Sequence, residues 1–189
     1  MTALAADAAE ESADVAVVKA NAEYVRGLVA KRDKGTINNA IEHFRKANEI
    51  AGSVGQGPLA LEAGLQLGEC MLVSGQTKAA TDVLARVGQI AQALQDPVKE
   101  RAAAALLGQG HATLKNFEQA VQYGERALHL TRTLKFTQLE PIDLYNLGFF
   151  NLMLVVIKNQ VVPSDFSTTF YISFIDCSTI SQFTFCLYR

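Results

Sequence analysis

The chain has 189 residues, 49% of them hydrophobic, and a formal net charge of -2. That is enough apolar material for a buried core, and it leaves no basic footprint for a nucleic acid. Cys70, Cys177 and Cys186 are odd in number and lack metal-ligand spacing, which argues against a disulfide framework or a zinc site and for a reducing, cytoplasmic setting.

Residues 1–12 carry no basic n-region and no apolar h-region, so they read as a flexible lead-in and not a secretory signal. A helix is predicted from near Ser12 or Asp14 to about Asp33, on an apolar stripe of Val15, Val18, Ala22, Val25 and Val29, with Gly35 ending it. A second covers about 36–51, with Ile37, Ala40, Ile41, Phe44, Ala47 and Ile50 at steps of three and four. Pro58, Pro97 and Pro141 then mark three helix starts, where a missing N–H costs nothing. Asp96 is a natural N-cap, and Asn116 with Gln119 suits a capping box. The pattern predicts helices near 58–74, 77–94, 97–114, 117–135 and 141–157, all with short joins.

One skeleton recurs at a step of 40 residues: Ala40, Ala80 and Ala120; Leu67-Gly68, Leu107-Gly108 and Leu147-Gly148, with an inverted Gly27-Leu28 before them; and Ala47, Val87 and Ala127. Self-similarity of this length implies stacked helix hairpins, and the small residues are what close packing of two helices needs. The repeat domain is read as 13–157, in units near 21–57, 58–96 and 97–140 and an incomplete one at 141–157.

The fourth unit lacks its turn and its alanine near 160, and from Val155 to Arg189 there is no alanine or glycine. Residues 158–189 are low in charge and rich in Ser, Thr and Phe, so they read as a disordered or poorly packed tail. An alternative end to the coding sequence is the preferred origin, and a specialised cap over the last helix is the other. An uncovered last helix, with Leu144, Leu147, Phe149, Phe150, Leu152, Met153 and Leu154, predicts self-association or partner binding. The 144–157 run is short and holds Asn146 and Asn151, so no membrane span is expected.

These residues resemble the tetratricopeptide repeat. The third copy offers Ala104, Leu107, Gly108, His111, Phe117, Ala120, Gly124 and Ala127, the second Gly64, Leu67, Gly68, Met71, Thr77, Ala80, Leu84 and Val87. The long step is similar to the extended-helix variants of kinesin light chains, spindle-orientation adaptors and bacterial regulatory arrays. The resemblance implies an all-α, right-handed α-solenoid of antiparallel hairpins whose first helices line an inner groove. Its ligand-binding positions carry over to Val25, Val29 and Arg32; to Glu62, Leu65, Glu69 and Leu72; to Ala105 and Gln109; and to Tyr145 and Phe149. The lysine and asparagine clamp of the chaperone-tail binders is missing, since Val25, Val29, Gln66, Ala102 and Leu106 stand in its place.

Catalytic signals are lacking. His43, His111 and His129 have no Asp, Glu or Cys at metal spacing, and His111 falls where the repeat places an aromatic between its two helices. Gly108-Gln109-Gly110-His111 lies inside a predicted helix and its first glycine is a repeat position, so a phosphate loop is not expected there. No metal, cofactor or reaction is expected. The expected function is a non-enzymatic adaptor holding a peptide or helix of a protein partner. A ligand- or peptide-sensing regulatory module, or a truncated isoform of a longer repeat protein, are the alternatives.

Overall fold

The structure is a computed structural model that describes the backbone of residues 2–159 and, Lys34 apart, the side chains of residues 12–158. Among these residues the chain is all-α: α1 (Thr2–Lys31), a 3-10 turn (Lys34–Thr36), α2 (Ile37–Ser53), α3 (Gly57–Val73), α4 (Thr77–Ala93), α5 (Pro97–Thr113), α6 (Phe117–Thr133) and α7 (Glu140–Asn159). From residue 160 on, the expected tail lies outside the described residues. Each helix packs on the next, and α1 also meets α3, α3 meets α5 and α5 meets α7. The even helices make no comparable contact with one another, so the row of helices curves as a solenoid with the odd ones inside.

The spacing has a backbone cause. Residues 55, 75, 95, 115 and 135 all have positive φ, between 55° and 81°. Beyond each, the amide of Gln56, Gln76, Asp96, Asn116 or Phe136 donates to the carbonyl five residues back, at 2.8–2.9 Å. This Schellman closure satisfies carbonyls that the helix end leaves unpaired. The carbonyls of Gln56, Gln76, Asp96 and Asn116 then accept the first bond of the next helix, from Ala60, Ala80, Glu100 and Ala120. The chain is therefore reversed every twenty residues, and α2 to α6 are each 17 residues long. Gly55 and Gly75 take the left-handed conformation without a Cβ clash, whereas Gln95, Lys115 and Lys135 pay roughly 1–2 kcal/mol each for it.

Small residues set how closely the hairpins close. Ala40, Ala80 and Ala120 are fully buried. A Cβ on Gly68 would stand 2.5 Å from Leu84, and one on Gly64 2.5 Å from Val87. The third hairpin is built differently, because Gly124 stands where the 40-residue step puts Leu84 in the second. Phe150 of α7 fills the gap, lying 3.1 Å from a Cβ built on Gly108 and 3.2 Å from one built on Gly124. Arg101 of α5, Thr131 of α6 and Asp143 of α7 complete that junction: Arg101 donates to Thr131 Oγ1 at 3.0 Å and to Asp143 Oδ1 at 2.5 Å, and Thr131 donates to Asp143 Oδ2 at 2.5 Å. All three are buried, and these bonds supply partners in place of water.

Several local expectations change. The helix start expected near Ser12 lies at Thr2, in a stretch of alanines and glutamates, strong helix formers. Asp96 caps α5 by accepting from the Lys99 amide at 3.0 Å, but Asn116 makes no side-chain cap, so the capping box does not form. The apolar stripe of α1 is not its packing face: Val15, Val18, Val25 and Val29 are all more than half exposed, and Ala20, Glu23 and Gly27 are buried instead. α7 keeps the 40-residue register but gives up its first turn, since it starts at Glu140 ahead of Pro141. By length and composition alone its Glu140–Lys158 span, longer than the 144–157 run, is also apolar enough to cross a membrane. Here it docks through Phe150 and Asp143 as a solenoid helix.

Two substitutions test this account. Lys115→Gly and Lys135→Gly should each raise unfolding free energy by about 0.5–1 kcal/mol in urea titration, as left-handed strain is relieved against a more flexible unfolded chain. Phe150→Ala should cost about 3–5 kcal/mol, and hydrogen exchange should show α7 losing protection while α3 and α4 keep theirs.

Candidate interaction groove

The inner face is formed by α1, α3, α5 and α7, and its geometry depends on a register shift in the first hairpin. A Cβ on Gly27 would meet Phe44 at 2.6 Å, as one on Gly68 meets Leu84 at 2.5 Å. Seventeen residues separate the first pair and sixteen the second, because the 3-10 turn carries one extra residue. Gly27, not Leu28, is thus the structural counterpart of Gly68. On a helix one residue is a rotation of 100°. Tyr24, Leu28 and Lys31 consequently correspond to Leu65, Glu69 and Leu72, while Val25 and Val29, expected in the groove, face the N-terminal end of the array.

Contacts agree with this alignment. Lys31 donates to Glu69 Oε2 at 2.7 Å and to Gln66 Oε1 at 2.8 Å, joining α1 to α3. The Tyr24 hydroxyl donates to Glu62 Oε1 at 3.4 Å, and Lys99 of α5 pairs with the other oxygen of the same carboxylate. Burial holds the Lys99 ammonium below its ordinary range and pushes the Tyr24 phenol up. Glu62 and Glu69, expected at ligand-binding positions of the groove, are therefore engaged in lacing neighbouring odd helices together. Such partly exposed pairs contribute little stability individually, but they fix the side chains in place.

The remaining expected residues divide by burial. Leu65 is 6% exposed and belongs to the core with Leu61, Leu84, Val87 and Leu107. Leu72, Ala105, Gln109 and Phe149 are half-buried; Arg32 and Tyr145 are exposed. Val73, at 57% exposure, and Val98, at 44%, extend the open apolar surface. Val98 shares a face with Ala102, Ala105 and Gln109 at steps of three and four, a signal that the repeat alignment alone did not use. The inner face thus presents Leu72 and Val73, then Val98, Ala102 and Ala105, then Tyr145 and Phe149, with its acids already paired.

His111, at the back of α5, stacks flat on Tyr123 of α6 with ring centroids 5.3 Å apart, and its Nδ1 meets no hydrogen-bond partner among the described residues. Burial lowers its pKa, because the charged form would be taken from water without compensation. The unfolded chain then binds more protons than the folded one in the ordinary histidine range. Stability from this site is therefore full above that range and declines as pH falls through it. His111→Phe should keep the fold and flatten the pH dependence of the melting temperature between about pH 7 and 5; an unchanged slope would show that His111 does not cause it. No protein-family model matches the chain, and no curated protein is similar to it.

Proposed function

We propose that the chain is a non-enzymatic adaptor of tetratricopeptide type, holding a peptide or amphipathic helix of a protein partner against the inner face of the array. The observation that carries this reading is the composition of that face once the ion pairs are assigned. Its acids are matched by Lys31 and Lys99, which leaves a course of exposed apolar side chains from Val73 through Val98 to Tyr145. A surface of this kind suits a ligand that offers apolar anchors at helical or extended spacing and does not depend on a charged clamp. Rows of paired charge beside it favour register over affinity.

The reading fixes which variants are informative. Leu65→Asp would place a carboxylate in the core and report on folding, so it is no probe of the groove. Val73→Asp and Tyr145→Asp alter exposed positions, and Ile90→Asp on the outer helix α4 is the matched control. In cross-linking pull-downs the partners captured by the wild type should be lost with Val73→Asp and Tyr145→Asp and kept with Ile90→Asp. Capture that survives both groove variants moves binding off the inner face and rejects the proposal.

A further inference from the structure

We infer that α1 carries a second interface, a docking seam for another copy of this chain through a parallel, two-fold symmetric pairing of the two α1 helices. Val15, Val18, Ala22, Val25 and Val29 follow one another at steps of three, four, three and four, the spacing of the a and d positions of a coiled coil. All five are exposed, with the valines at 65%, 69%, 55% and 63%. The opposite side of the same helix is taken, since Gly27 lies against Phe44 and Glu23 is hydrogen-bonded to His43 at 2.8 Å. The seam and the packed face are therefore separate surfaces of one helix.

The other odd helices show what such a face does. With the one-residue shift of α1, Ala22 and Val29 correspond to Ala63 and Cys70 of α3 and to Ala103 and Gly110 of α5. Ala63, Cys70 and Ala103 are fully buried, and Gly110 is buried as well. Cys70 packs with Ala40, Ile41 and Phe44 of α2, and Gly110 faces Thr81 of α4. Cys70 and Gly110 are thus covered by the helix before them, whereas no described helix covers the valine face of α1. The occupant that fits is a helix.

Charge at the seam's edges specifies which helix and in which direction. Asp14 and Lys19 occupy the flanking g and e positions; both are exposed, and neither is in an ion pair among the described residues. In a parallel pair the g position faces the e position five residues on in the other helix, so Asp14 meets the partner copy's Lys19 twice across the two-fold axis. An antiparallel pair would instead bring Lys19 and Arg26 of both helices to one edge, like against like. The backbone of α1 stays helical to Thr2, so pairing is not interrupted at Val15.

Sedimentation equilibrium of the full chain tests this. The wild type should reach twice the 20.5 kDa of one chain, and Val18→Glu with Val25→Glu should return it to monomer without changing its circular dichroism. Leu152→Glu, on the exposed face of α7, should leave the dimer intact. Lys19→Asp should weaken association about tenfold by setting like charges opposite one another, and adding Asp14→Lys should restore it. A wild type that stays monomeric at its highest soluble concentration overturns the inference. So does a dimer that survives the two glutamates, that is lost only with Leu152→Glu, or that the charge swap fails to rescue.

Discussion

The structure depends on one recurring event, the reversal of the chain every twenty residues through a left-handed residue and the two amides around it. A helix of 17 residues and a three-residue join return the chain to the same level each time, so successive helices meet along their full length. Nothing in the side chains has to enforce the antiparallel arrangement. What the side chains decide is which face of each helix meets which neighbour, and there the small residues at Gly64, Gly68 and Ala80 let the backbones approach while Leu84 and Val87 fill the space between. Packing and turn geometry thus act on different variables, one on rotation and the other on translation.

This division explains what was legible in the sequence. The 40-residue step shows in Ala40, Ala80 and Ala120 because equivalent helices bury equivalent side chains. The twenty-residue step does not, because alternate helices bury different faces and the five reversal positions hold Gly, Gly, Gln, Lys and Lys. One backbone conformation is written there in three residue types. The solenoid and the boundaries of α2 to α6 could be read from periodicity and proline placement, yet the start of α1 and the common turn could not. Periodicity also reports that a helix has an apolar face without saying what covers it. By periodicity the valines of α1 belong to packing and to the groove, yet a single extra residue in the first turn rotates them away from both.

The groove shows a similar limit. That Glu62 and Glu69 stand on the inner face follows from their positions in the repeat, but their pairing with Lys99 and Lys31 joins residues 37 and 38 apart on neighbouring helices. Only the lateral spacing of the odd helices brings those charges together. Once paired, they no longer offer a ligand a free carboxylate, and the face is left apolar for a reason that composition alone would not reveal. The stacking of α5, α6 and α7 likewise places Arg101, Thr131 and Asp143 in one buried network, in which each residue taken singly would look like an unsatisfied polar group.

The two ends of the array differ because of how each terminal helix is held. α7 is fixed by insertion: Phe150 enters a gap that Gly108 and Gly124 leave open, and the exposed remainder of the helix carries Leu144, Tyr145 and Leu152 with no flanking charge pattern. α1 is held on its other side, by Gly27 against Phe44 and Glu23 on His43 of α2, so its open face keeps regular heptad spacing with Asp14 on one edge and Lys19 and Arg26 on the other. A surface with both apolar spacing and charge order restricts its partner's orientation, whereas an apolar surface alone does not. The α1 face also looks along the axis of the array and not into its curve. Two copies joined there would each keep the inner face open and would carry their grooves at a fixed separation, so a ligand with two anchor segments would bind the second site at an effective concentration set by its own linker.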